Sequence, residues 1–336
     1  MAQFGCTKAK KRPISYGGVR GTFRLGFAPA IPGVECAKTG RQRWRYPVQH
    51  PPPLAGQQYN ASATDGPMPE AIYLREGCHY TPTPWACSPW SPEIQHGSAV
   101  NALLGQAIRE ALEQAPLQPA RIHVDLMGPV PMRTLKLDWE FARRGRRTAW
   151  VDARLLDEER TVARASALLL QPSPGTPEKS ADRSAAPPHA PDTLPATAFF
   201  PAAQRRHAPK GFHLSLELRE EPDANAAWIR TSLDFVSGEA FGDLERSMAL
   251  ADLTGGLAGY RFPGGESGER RWPEQPLINN DTCLHLERPP RGDWLRVSES
   301  RLSESRGVGV AEVVLHDTDG RWGRCLQSLI SRPWRT

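Results

Sequence analysis

The chain of 336 residues has six cysteines, and none of them forms a CxxC pair or joins histidines at zinc-ligand spacing. This leaves no sequence case for a metal centre or a disulfide framework, and the expectation is reduced thiols in a cytoplasmic protein. No apolar run approaches the ~18 residues of a membrane span. No short apolar core follows the basic N-terminus, so a secretory signal is not expected. The GxSxG, HExxH and GxxxxGK[ST] patterns are all missing, so no motif points to a serine elbow, a zinc-bound water or a phosphate-binding loop. We expect no cofactor and no metal.

Acidic residues are scarce at the start. Residues 1–50 hold ten Lys/Arg and one acid, a net of +9, whereas the whole chain is +5, so the rest sums to −4. The basic character therefore belongs to the first segment and says little about the folded part. Residues 1–67, rich in Gly, Pro, Gln and Arg, read as a disordered basic tail. Met68 stands where aromatic content rises, and we expect the native chain to begin there, which mass spectrometry of its N-terminus would test. The segment lacks regular aromatic interleaving, so no specific nucleic-acid binding is expected.

What remains is periodic. Over 97–115, Val100, Leu103, Leu104, Ala107, Ile108, Ala111 and Leu112 make a broad helical stripe, stopped by Pro116 and Pro119. "RIHVDLM", "TLKLDWEFARR", "TAWVDARLL" and "TVARASALLL" then alternate with period two, as in an antiparallel sheet covered on one side. Residues 171–210 hold nine prolines and read as a linker. After it come strands in "FHLSLELR" and "WIRTSLDF", a shorter helix in "GDLERSMALADLTGGL", and four more strands. Gly145 and Arg164 of the first part align with Gly307 and Arg324 of the second, at offsets of 162 and 160. A repeat this long indicates a duplicated domain rather than a solenoid. The boundaries are 68–170, 171–210 and 211–336. Two such copies can pair edge to edge, and remaining exposed edges invite association into a homo-oligomer.

Three polar features fall on apolar faces. Asp252 lies four residues after Met248 and eight after Leu244, on the inward stripe of the second helix. A buried carboxylate there needs partners. Gln327 alternates with Cys325 and Leu329, while its first-half counterpart is Ala167. Asn279-Asn280-Asp281-Thr282 opens the first long strand after the second helix. Each also has a structural reading: a helix-end carboxylate bonded to backbone, an amide bridging elements, a turn residue.

In their order and spacing, "IYLREGCHYTPTPWACSPWSPEIQHGSAVNALL", "HVDLMGPVP", "ARRGRRTAWVDARLL", "ALADLTGGL", "NNDTCLHLERPPRGDWL", "GVGVAEVVLHDTDG" and "LQSLI" resemble the type II acyl-CoA thioesterase-like double-hotdog family. The resemblance covers about 70–170 and 211–333. It implies an α+β tandem hotdog, two antiparallel sheets each wrapped around one long helix, and hydrolysis of acyl-CoA to free acid and CoA. It implies that Asp252 and Gln327, with Asn279 or Thr282 in a position where the family has Thr, hold the attacking water. It also implies a place for an acyl carbonyl at His96-Gly97, where the same residues could simply turn and cap the helix. Arg288, and likewise Arg291 and the "RRGRR" hairpin, are candidates for the CoA phosphates or plain solvated turns. The alternatives are an acyl-binding hotdog without catalysis and a hotdog hydratase or dehydratase, the last weakened because Glu93 is the one acid near His96. Trp85 and Trp90 read as a lid packed over the first sheet.

Overall fold

In the computed structural model, residues 70–173, 175, 187–199, 210–222, 225–258 and 277–331 are described; the basic first segment lies outside them. The first half opens with β1 (Ala71–Glu76) and β2 (His79–Pro82), runs through α1 (Gly97–Glu113), and continues as β3 (Gln118–Leu126), β4 (Leu135–Arg144), β5 (Thr148–Asp157) and β6 (Arg160–Leu170). The second half has β7 (Thr197–Ala198), β8 (Leu216–Glu220), β9 (Ala227–Thr231), β10 (Asp234–Val236), α2 (Asp243–Ala251), β11 (Leu277–Asn279), β12 (Asp281–Leu286), β13 (Leu295–Ser305), β14 (Val308–Asp317) and β15 (Gly320–Ser331).

These strands form one sheet, not two. Its path is β10-β1-β2-β4-β5-β6-β3-β12-β15-β14-β13-β9-β8-β7, with β11 pairing with β15 off the path. The seam is β3 against β12, antiparallel, with Thr282 opposite Val124 and Leu284 opposite Ile122. Read outward from that seam, β6, β5, β4, β2, β1 on one side mirror β15, β14, β13, β9, β8 on the other. Each half is a hotdog, so the double hotdog is present, with the two wraps hydrogen-bonded into a single sheet that hides two edges. The repeat offset falls from 162 at Gly145 and Gly307 to 160 at Arg164 and Arg324, and one residue of that difference lies in the hairpins: three residues join β4 to β5, whereas a two-residue turn, Arg306-Gly307, joins β13 to β14. Both turn residues have positive φ, 54° and 78°, the hand that suits a tight hairpin.

Helix α1 is buried on nearly every face: Ala99, Val100, Ala102, Leu103, Leu104, Ala107, Ile108 and Ala111 are all at 0% exposure. Its broad stripe is explained by two coverings, its own sheet on one side and α2 on the other. The helices run antiparallel, since Gly97 meets Asp252 while Gly105 meets Glu245 and Met248. A Cβ at Gly105 would lie 3.0 Å from Met248 Sδ and 3.2 Å from Glu245 Cα, so the glycine lets the two axes approach. In the second half, Leu250, Leu295, Val313, Leu315, Trp322 and Cys325 continue the same core.

Several elements differ from the sequence expectation. The second helix ends at Ala251, and Asp252 is its C-cap rather than an interior residue. Phe212–Leu214 is a 3-10 turn ahead of β8, not part of the strand. Within the stretch read as a linker, residues 191–193 form a 3-10 turn and β7 pairs with β8. Trp85 packs on the core, whereas Trp90 is 49% exposed. Cys283 and Cys325 both sit in apolar runs, which predicts burial for each, yet Cys283 is at intermediate exposure whereas Cys325 is fully buried.

Candidate active site

The cluster grows from the seam between the helices. Asp252 follows the last turn of α2 and its residue is 6% exposed. Gly97, the first residue of α1, sits directly against it: a Cβ there would lie 2.7 Å from each carboxylate oxygen. The carboxylate therefore rests on bare backbone at a helix start. Ser98 Oγ donates to Asp252 Oδ2 at 3.1 Å, and Asn279 Nδ2 donates to Oδ1 at 2.8 Å. These donors come from both halves and supply the partners that a buried carboxylate requires.

Gln327, at 1% exposure, spends its amide on three groups. Nε2 donates to the backbone carbonyl of Asp252 at 2.9 Å and to Thr282 Oγ1 at 2.9 Å. Oε1 accepts the Gly255 N–H at 2.7 Å, at the helical turn Thr254–Gly256. Gly255 is needed for this approach, since a Cβ would come within 2.9 Å of Leu329 Cδ2 and 3.1 Å of Gln327 Oε1. Thr282, also 1% exposed, pairs across β3 with Val124 and further accepts from Asn101 Nδ2 at 3.3 Å. The duplication makes the contrast explicit. Ala167 faces Ile122 in the first half, and the corresponding positions in the second are Gln327 and Thr282. A methyl against an aliphatic chain became an amide against a hydroxyl.

His96 caps α1, its Nδ1 accepting the Ser98 N–H at 3.1 Å. That bond puts the proton of the neutral ring on Nε2. Nδ1 stands 3.6 Å from Asp252 Oδ2, close but not hydrogen-bonded. The Gly97 N–H makes no hydrogen bond among the described residues. His213 stacks on the His96 ring, centroids 6.3 Å apart and planes at 21°. Cys325 lies beneath, and burial raises its thiol well above the ordinary value, which removes it as a nucleophile.

Of the residues singled out in the sequence, Asp252, Gln327, Asn279, Thr282, His96 and Gly97 come together. Arg288 goes elsewhere. Its guanidinium forks onto Asp317, at 2.6 and 2.5 Å, and also donates to the carbonyls of Gly320 and Pro289. It ties the β12–β13 connection to the β14–β15 turn. Arg291 reaches Asp319, and Arg143 lies over the Trp150 ring. Sequence reading missed Ser98 and Asn101. Both are polar, both are at 0% exposure, and both lie among the buried apolar residues of the first turns of α1. Among the described residues no group of three or more His, Cys, Asp or Glu could hold a metal ion. No helix among them is long and apolar enough to cross a membrane.

Comparison with known proteins agrees with this architecture. Residues 86–170 match the family model for the acyl-CoA thioesterase N-terminal domain. A protein of Novosphingobium aromaticivorans, provisionally assigned as a thioesterase, is 20% identical with a TM-score of 0.57, covering 78% of this chain and 98% of its own. One from Thermobifida fusca, provisionally a thioesterase II, is 17% identical with a TM-score of 0.53, covering 77% and 95%. The tesB protein of Mycobacterium avium subspecies paratuberculosis is 15% identical with a TM-score of 0.51, covering 78% and 96%. No curated protein matches the sequence. With the family model on its first half and the shared fold over both, the chain is a double-hotdog protein like the type II acyl-CoA thioesterases.

Proposed function

We propose that the protein hydrolyses acyl-CoA thioesters to a free acid and CoA, with water as nucleophile. The observation that carries this is a buried carboxylate laid on the glycine that opens a helix, with an amide and a hydroxyl in register beside it. Asp252 is the general base. It takes one proton from the water as the new C–O bond forms at the thioester carbonyl carbon. The oxygen that becomes negative is received by the Gly97 N–H at the positive end of α1. The C–S bond then breaks with its electron pair on sulfur, and Asp252 returns the proton to the thiolate. No covalent enzyme intermediate is required, and the product pair balances the reactants plus one water.

Gln327 positions rather than reacts. Both of its N–H groups are spent on the Asp252 carbonyl and on Thr282. Between the two candidates for the family's Thr position, the geometry favours Thr282, which lies in register with Gln327. Asn279 orients the carboxylate through its 2.8 Å bond to Oδ1. Arg288 is left out of CoA binding because Asp317 and two carbonyls engage it.

The test is thiol release from acetyl-, hexanoyl-, decanoyl- and palmitoyl-CoA. Turnover that disappears in Asp252→Asn while acyl-CoA still binds supports the hydrolase. Binding without turnover in the parent protein identifies an acyl-binding module instead.

A further inference from the structure

Asn101 of α1 is wholly buried, and its two amide atoms are treated unequally. Nδ2 donates to Thr282 Oγ1 at 3.3 Å, whereas Oδ1 has no hydrogen-bond partner. Whichever way the amide is turned, one polar atom bonds Thr282 and the other is left over. An orphaned buried carbonyl oxygen costs about 1–3 kcal/mol, a cost proteins tolerate chiefly where the atom has a ligand to meet. Thr282 is also incompletely used: Oγ1 accepts from Gln327 and Asn101 but has its own proton still to donate. Along α1, Gly97, Ser98 and Asn101 fall on one face, being one and four residues into the helix. The first two already touch the Asp252 carboxylate.

We propose that Asn101, from the half that carries no catalytic carboxylate, completes the seat of the attacking water. The water donates one hydrogen bond to Asp252, which takes that proton, and the other to Asn101 Oδ1, with that second proton staying on the water oxygen. It accepts the Thr282 O–H in one lone pair and points the remaining lone pair at the thioester carbon. All four tetrahedral positions are then assigned. Asn101 is thus a specificity-setting acceptor that fixes the direction of attack, and the active site is a composite of both hotdogs. The inference rests on the hydrolase reading above.

The experiment is Asn101→Leu, which keeps the side chain's shape and removes both polar atoms, alongside Asp252→Asn, with hexanoyl-CoA and palmitoyl-CoA as probes. The expected result is a kcat reduced about 10–100-fold with KM within roughly threefold of the parent. Thermal stability should change little, because the buried amide oxygen leaves together with one long bond to Thr282, whose hydroxyl still accepts from Gln327. A purely structural Asn101 would instead lower Tm and leave kcat of the folded fraction unchanged. Should the Leu variant not fold, Asn101→Ala is read by the same criteria. Full kcat in a folded Asn101 variant, with Asp252→Asn inactive, overturns this inference and leaves the hydrolase reading standing. Full activity in Asp252→Asn overturns both.

Discussion

Gly97 and Asp252 share a contact that admits no side chain. Each carboxylate oxygen would be 2.7 Å from a Cβ on residue 97, and an Asp has too short a stem to move aside without leaving Ser98 and Asn279. Gly97→Ala should therefore lower kcat about tenfold or more by displacing the base, with steady-state kinetics as the check. Gln327→Leu acts on stability. It strands the Asp252 carbonyl, the Gly255 N–H and part of the Thr282 hydroxyl in a dry site. A loss of about 1–3 kcal/mol is expected from urea unfolding. At this scale the sequence was readable where a polar residue broke a pattern: Asp252 on a helical stripe, Gln327 opposite its own Ala167. It was not readable where the partner was distant. Nothing near Arg288 announces Asp317, and nothing near Asn101 announces Thr282, each pair being set by strand register rather than by neighbours in the chain.

Strands β13 and β14 hold a second buried polar group with a separate consequence. His316 Nε2 and Ser298 Oγ are 2.9 Å apart, and Arg296 forks onto Glu221 alongside at 2.6 and 2.9 Å. Burial, reinforced by Arg296 and Arg321, depresses the His316 ring from 6.5 to about 4. The neutral ring is the folded form, so its contribution is complete above the unfolded value of 6.5. It is lost as pH falls from there towards 4, by about 2–3 kcal/mol. Denaturant titrations across that window should show the decline, and His316→Gln should flatten it while keeping a bond to Ser298. Elements of this kind were legible by period. Helix α1 and strands β3 to β6 and β12 to β15 follow from alternation and the apolar stripe. Strands β1 and β2 were not, because Tyr73 and Tyr80 are buried among aromatics and Gly77, with φ of 59°, turns the chain after only six residues. The end of α2 was misplaced because the residues after Asp252 form a further helical turn, Thr254–Gly256, that hides the stop.

Across the molecule the duplication, and with it the scope for edge-to-edge pairing, was legible from paired positions about 160 residues apart, but which strands meet at the seam was not, since register between halves leaves no local mark. The β3–β12 seam sits in the middle of a fourteen-strand path, and the base, the amide and the two glycines are arranged around it. Hydrogen exchange should therefore find β3 and β12 slowest, β7 and β10 fastest; a rapidly exchanging seam would mean that the halves open independently. The hydrogen-bonded seam sets the halves in one register, and side chains of α1 meet β12 and the end of α2 across it, which is what a water-directed reaction needs. The most direct trial of the account is thioester hydrolysis by the parent protein and by Asp252→Asn, followed through released CoA thiol. The account predicts turnover in the parent and a fall of about 10²–10⁴-fold in kcat in the variant, with acyl-CoA binding retained. Equal rates in the two proteins would contradict it.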